Sequence, residues 1–127
     1  MKLLFPLLIS LLPVASMAQS VPAPRTTEVM VILTTRQGVT REQITSVMSA
    51  EIRATVKLYL DGKIRQWYSK SDGRGVILFL DVKTVDEAHT VIDAMPLSKE
   101  NLMDHEYVPV GPLLALGGLI GGGPARQ

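Results

Sequence analysis

An α+β domain of element order βαββαβ, a four-stranded antiparallel sheet with two helices on one face, is predicted by three features of this 127-residue sequence. Two runs of aliphatic and β-branched residues, VMVIL at 29–33 and VILFL at 76–80, read as strands. Thr40 with Gln43, and Thr84 with Glu87, repeat the spacing of a capping box, each ahead of a helix-forming segment. Asp72-Gly73 lies between two strand-like segments, where a hairpin turn is expected.

Taken in order, residues 1–18 have the pattern of a secretory signal. Lys2 supplies the positive region, residues 3–14 are almost all apolar, and Ser16 and Ala18 are small residues at signal-peptidase spacing. Cleavage after Ala18 is expected, which makes the protein periplasmic or secreted. A membrane anchor is the weaker reading, because the apolar run is about 12 residues against roughly 20 for a span, and Pro6 and Pro13 interrupt it. No stable membrane insertion is expected. Residues 19–27 form a Pro-rich polar linker, and the folded domain is expected over 28–112.

Within it, residues 28–35 read as the first strand and 41–60 as a helix opened by Thr40. Asp61-Gly62 closes that helix, with the glycine free to adopt the left-handed conformation. Residues 63–70 and 75–82 form the hairpin strands, a second helix runs from Thr84 to about Met95 and stops at Pro96, and 103–110 is the fourth strand. This order is the ferredoxin-like split βαβ arrangement. The tail, 113–127, is apolar and glycine-rich, compatible with an arm over a neighbouring subunit or with a loose terminus.

Composition excludes several functions. Formal net charge is +1, and loss of Lys2 with the signal brings it to neutrality, so bulk charge recruits neither nucleic acid nor anionic lipid. Cysteine is absent and only two histidines, His89 and His105, are present. No metal site or cofactor motif is expected, and no phosphate loop or Ser-His-Asp spacing occurs. The partners left are a small molecule and a second copy of the chain. The continuous apolar runs point to the latter: helices cover one face of the sheet, yet both faces of the first and third strands are apolar. Packing of two subunits through the open sheet face is therefore expected, giving a homodimer or higher homo-oligomer.

Chemistry is sought first at Glu51. On a helical projection Ile44, Val47, Met48, Thr55 and Leu58 fall on one stripe, with Glu51 near its middle. A buried carboxylate there acquires a raised pKa suited to general acid–base work; alternatively, the side chain reaches solvent or pairs with Arg53 or Arg65. Strict alternation puts Arg65 and Trp67 on one strand face, where they could seat a planar, carboxylate-bearing ligand by hydrogen bonding and stacking, or simply form an amphipathic edge. Tyr59 is a candidate hydrogen-bond donor or a core-rim residue. His89, at the border of the stripe of Val85, Ala88, Ile92 and Met95, is a candidate catalytic group or a structural hydrogen-bonding partner.

The segments SAEIRATVKLYLDGKIRQWY, FLDVKTVDEAHTVIDAMPL and MDHEYVPV resemble muconolactone delta-isomerase and its relatives among the dimeric α/β-barrel proteins, over residues 28–112. Glu51 matches the helix glutamate to which proton transfer is ascribed in that family; Gly62, Arg65, Asp81, Val82, His89, Pro96 and Leu97 match its later motifs. The resemblance implies a proton-shifting isomerase acting on a small lactone or oxygenated carboxylate, with Glu51 as base; Arg65 is then the expected anion site, while His89 as a second catalytic group and Trp67 and Tyr59 as substrate-binding residues are expectations from their positions in the sequence. It departs from the family where Val47 and Met48 occupy the region of the isomerases' lysine, and at SKENLMDH after Pro96-Leu97. The other reading is a non-catalytic ligand-binding or assembly module on the same barrel.

Overall fold

A computed structural model describes residues 25–113 of the chain. The signal expected at 1–18, most of the linker and nearly all of the tail lie outside the described residues. The elements run β1 (Glu28–Thr35), α1 (Arg41–Leu60), β2 (Ile64–Ser69), β3 (Gly75–Leu80), α2 (Val85–Asp93), α3 (Pro96–Lys99) and β4 (Met103–Val110). The strands form one antiparallel sheet in the order β2-β3-β1-β4. This is the ferredoxin-like α+β fold.

Local chemistry sets the boundaries. Thr40 and Gln43 close a full capping box: the Gln43 N–H donates to Thr40 Oγ1 at 3.3 Å and the Thr40 N–H to Gln43 Oε1 at 2.8 Å. At the other end of α1, Gly62 takes φ +76 and donates its N–H to Tyr59 O. The second cap differs from expectation. Thr84 accepts the Glu87 N–H, but the Glu87 carboxylate turns to the Lys83 N–H at 3.1 Å instead of Thr84's own. The helix it opens ends at Asp93, and Pro96, expected only as a stop, begins the four-residue α3 as its first residue.

The core lies between the helices and one face of the sheet. Val29, Val31 and Leu33 of β1 and Leu78 and Leu80 of β3 meet Ala88 and Ile92 of α2 and Leu97 of α3. Gly75 is required where β3 starts, since a Cβ there would stand 1.9 Å from Leu33 O. Met30, Ile32, Ile77 and Phe79 alternate with the core residues and face the other way. They are half-buried by strand neighbours, and no described helix covers them. Burial of both faces, expected from the apolar runs, is thus not reached within one chain.

One register detail overturns an expectation. A β-bulge between Ile64 and Gln66 breaks the alternation of β2, so Ile64 and Trp67, not Arg65 and Trp67, share the core-facing side.

Candidate active site

Between α1 and the sheet lies a cleft of about 670 Å³, with Met48, Glu51 and Thr55 of α1 on one wall and Leu33, Trp67 and Leu78 of the sheet on the other. Glu51 is 9% exposed and is the one buried charged residue among the described residues. Its position follows from helical geometry: the stripe of α1 that faces the sheet includes it, and a short side chain there would leave the space to an apolar neighbour. The carboxylate is held from α3, where the Leu97 N–H donates to Glu51 Oε2 at 2.9 Å. That N–H belongs to the first turn of a helix, where no intrahelical acceptor exists. Glu51 Oε1 has no protein partner among the described residues and is not sealed from solvent.

Two effects act on this carboxyl in opposite directions. Burial, the larger, penalises the anion and raises the pKa; the Leu97 N–H lowers it, and the net displacement is upward from the usual glutamate value. No lysine, arginine or histidine lines the cleft, so no cation is present to reverse that sign. A carboxyl whose pKa is raised by burial, with one oxygen held by the Leu97 N–H and the other without a protein partner, is a stronger base than an ordinary glutamate and can take up and return a proton.

Trp67 forms the sheet-side wall and is 40% exposed. Tyr59 does not line the cleft; it stacks behind Trp67 with ring centroids 4.6 Å apart and planes at 26°, which holds the indole in place. Arg65 is elsewhere. The bulge turns its guanidinium to Glu28 Oε1 at 3.2 Å and Asp81 Oδ1 at 2.8 Å. The strand neighbours of those acids, Val29 and Leu80, point to the core, so Arg65 belongs to the side of the sheet away from the helices. Neither Arg53 nor Arg65 pairs with Glu51; Arg53 instead donates to Ser49 O.

His89 also lies outside the cleft. It packs on Tyr107 of β4 at a centroid distance of 3.9 Å, with Nδ1 3.9 Å from Asp93 Oδ2. Tyr107 is pushed up to about 12 by burial and then by Asp93, and its hydroxyl is buried without a partner among the described residues. His105 points to the helix side, not to solvent: Nε2 is 3.0 Å from Ser98 Oγ, and burial lowers its pKa. Sequence reading missed both the Leu97 N–H and this cluster. Only Pro96, a residue that can open a helix, signals the first of them. Among the described residues no group of three or more His, Asp or Glu side chains is placed to hold a metal ion, and no helix is long and apolar enough to cross a membrane.

No family model matches the chain, and no curated protein matches it. Among solved structures, it is similar to 5-chloro-2-hydroxyhydroquinone dehydrochlorinase from Burkholderia phenoliruptrix AC1100, solved with 2,5-dihydroxybenzoquinone. The two share 16% identity with a TM-score of 0.56, over 65% of this chain and 92% of the other. A likeness at that identity shows the fold, ferredoxin-like α+β, which the strand order had already established.

The raised pKa of Glu51 carries a sign for stability. A carboxyl whose folded pKa lies above its unfolded value contributes stability fully present below the unfolded pKa and lost as pH rises through the folded one. Denaturant titrations of wild type and Glu51→Gln across the acidic range are expected to show the wild type losing stability relative to the variant from the usual glutamate range upward. The amide oxygen can still accept the Leu97 N–H, so the variant is expected to be at least as stable as wild type at neutral pH. A stability difference independent of pH would show that the carboxyl is not perturbed.

Proposed function

We propose that this protein is a proton-transfer enzyme of the isomerase type, acting on a small oxygenated ring such as an unsaturated lactone, with Glu51 as the group that moves the proton. The observation that carries this reading is the half-satisfied Glu51 carboxylate in an open apolar cleft. A binding module that had lost its chemistry would be expected to fill the cleft with side chains or tie Glu51 into an ion pair, and neither is found. The neighbour of like fold was solved with a planar dihydroxyquinone, which fits a ring lying on Trp67 beside Glu51.

The chemistry needs no co-reactant. Glu51, as carboxylate, removes a proton from the sp³ carbon between a ring carbonyl and a ring double bond; the C–H electron pair forms a double bond to the carbonyl carbon and the carbonyl π pair moves onto oxygen, giving a dienolate. The carboxylic acid then returns the proton at the far carbon, and the double bond moves into conjugation. The cleft contributes Thr35, Thr55, Tyr68 and Ser69 as hydroxyl-bearing residues, and its other walls are largely apolar. Trp67, backed by Tyr59, holds the ring plane. Arg65 and His89, outside the cleft, are assigned to pairing Glu28 with Asp81 and to packing on Tyr107.

The assembly follows from the same sheet. The uncovered Met30, Ile32, Ile77 and Phe79 are continuous with Val108 and with Tyr68, which is 53% exposed, and a second copy would cover them face to face. Export is the third part of the reading, supported by the sequence of residues 1–18.

Each part has its measurement. α-Angelica lactone in deuterated water is a minimal probe of the proton shift, followed by NMR; the wild type is expected to accelerate isomerisation or deuterium uptake, and Glu51→Gln to lose roughly 100-fold or more of that rate with an unchanged or higher Tm. Equal rates would discard Glu51 as the base. Light scattering at micromolar concentration is expected to give a dimer or larger species, and Ile77→Glu, which places a charge in the middle of the open face, a monomer; a monomeric wild type would refute sheet-face assembly. N-terminal sequencing of protein recovered from the periplasm or medium is expected to begin at Gln19, and full-length protein retained in the cytoplasm would refute export.

A further inference from the structure

The Leu97 N–H that holds Glu51 comes from α3, and α3 is a single turn. Four residues make too few internal hydrogen bonds to hold a turn in one orientation, so its neighbours have to do so. The Leu97 side chain is buried, and its carbonyl accepts the Leu102 N–H at 3.1 Å. These contacts set how deep the turn sits. Rotation about them is opposed from the sheet by one side-chain hydrogen bond among the described residues, between Ser98 Oγ and His105 Nε2 of β4 at 3.0 Å.

His105 is built into the sheet beside the site. It pairs with Leu33 across β4 and β1, and Leu33 lines the cleft, so the bond reaches the sheet at the level of Glu51's pocket. Its ring meets the Tyr107 ring edge-on at a centroid distance of 6.2 Å, and Tyr107 is in turn packed against His89 of α2. The charged and titratable groups acting on it are His89 and Asp93 from α2 and Asp104 from its own strand. Burial outweighs them and keeps the imidazole below the ordinary histidine value, and a neutral ring bonds a serine hydroxyl through Nε2 in either tautomer. Neither Ser98 nor His105 lines the cleft itself.

We propose that His105, acting through Ser98, is a positioning residue for the proton transfer at Glu51: the Ser98–His105 bond fixes the orientation of α3 and so aims the Leu97 N–H at the Glu51 carboxylate. The proposal rests on the reading of Glu51 as the group that moves the proton. Ser98 and His105 are the first and last residues of SKENLMDH, the segment in which the chain departs from the isomerases it resembles. Without their bond the turn can rotate, and the Leu97 N–H moves off Glu51 Oε2, its one protein donor among the described residues. Two effects follow. The lowering influence of that N–H is lost while burial remains, and a carboxylate no longer held in one orientation spends less time in line with the carbon it deprotonates. Glu51 is the one carboxylate lining the cleft and Tyr68 the one other titratable side chain there, so the titration of Glu51 reports these changes directly.

The experiment follows the carbon NMR resonance of the Glu51 carboxyl through a pH titration, without ligand; the signal is identified by its absence from Glu51→Gln. Ser98→Ala and His105→Phe remove the bond from either side, and Ser98→Thr keeps the hydroxyl. In both removals the Glu51 pKa is expected to move further up, and the acidic limb of the kcat/KM profile for α-angelica lactone to move up with it. At its plateau kcat is expected to fall roughly three- to tenfold with KM unchanged. Ser98→Thr is expected to titrate and turn over as the wild type does. A bond that served stability alone would lower Tm in the removals and leave the titration where it was. A Glu51 titration unchanged in both removals, or displaced in only one of two folded ones, overturns the positioning role and leaves Glu51 as the base. Ser98→Ala, the milder change, decides alone if His105→Phe does not fold. No acceleration of the lactone's proton shift by the wild type overturns the reading of Glu51 and this inference with it.

Discussion

A single hydrogen bond, from the Leu97 N–H to the Glu51 carboxylate, links the parts of this molecule that have to be held relative to one another. Moving an isolated carboxylate out of water costs several kcal/mol in a real protein, and one charge-assisted bond offsets part of that. The arrangement suits both partners. The first N–H groups of α3 have no acceptor within their own helix, and a carboxylate at the start of a helix is the acceptor that the peptide dipoles favour. The bond ties the middle of the longest helix to the connection that feeds β4. The cleft follows from the same residue. An apolar side chain at position 51 could settle onto Leu33 and Leu78 and close the gap; a carboxylate that must keep one oxygen in contact with solvent holds the gap open.

The bulge in β2 is the second determinant of where chemistry can occur. Without it Arg65 and Trp67 would share a face, and a guanidinium would enter the cleft beside Glu51. With it the indole goes to the cleft, and the arginine goes to Glu28 and Asp81 on the other side of the sheet. One extra residue in the strand thus separates the stacking surface from the cation. The cleft is left with hydroxyls, sulfurs and hydrocarbon, in which a carboxyl titrates high.

The fold was legible because its signals are local. Capping boxes, Asp-Gly and Gly62 act over three or four residues, and the strands of 28–35 and 103–110 were bounded correctly from composition and flanking punctuation alone. The helix period put Glu51 against the sheet, and the structure buries it there. What could not be read depends on contacts remote in sequence. Glu51 meets a backbone N–H 46 positions away, and a backbone donor leaves no mark in the amino-acid code beyond Pro96 before it. The bulge has no glycine to announce it, so strict alternation assigned Arg65 to the wrong face. His89 lies on the border of its helical stripe as expected, but which residue it would meet, Tyr107, is decided by how α2 crosses β4.

The placement of charge along the cleft is consistent with its proposed use. A guanidinium beside a carboxylate lowers its pKa, which would oppose the effect of burial and make Glu51 a weaker base. A substrate carboxylate next to Glu51 would act in the other direction, repelling the anion that has to form during the reaction. With Arg65 drawn to Glu28 and Asp81, no cation lines the cleft, and the pKa of Glu51 is set by burial and the Leu97 N–H.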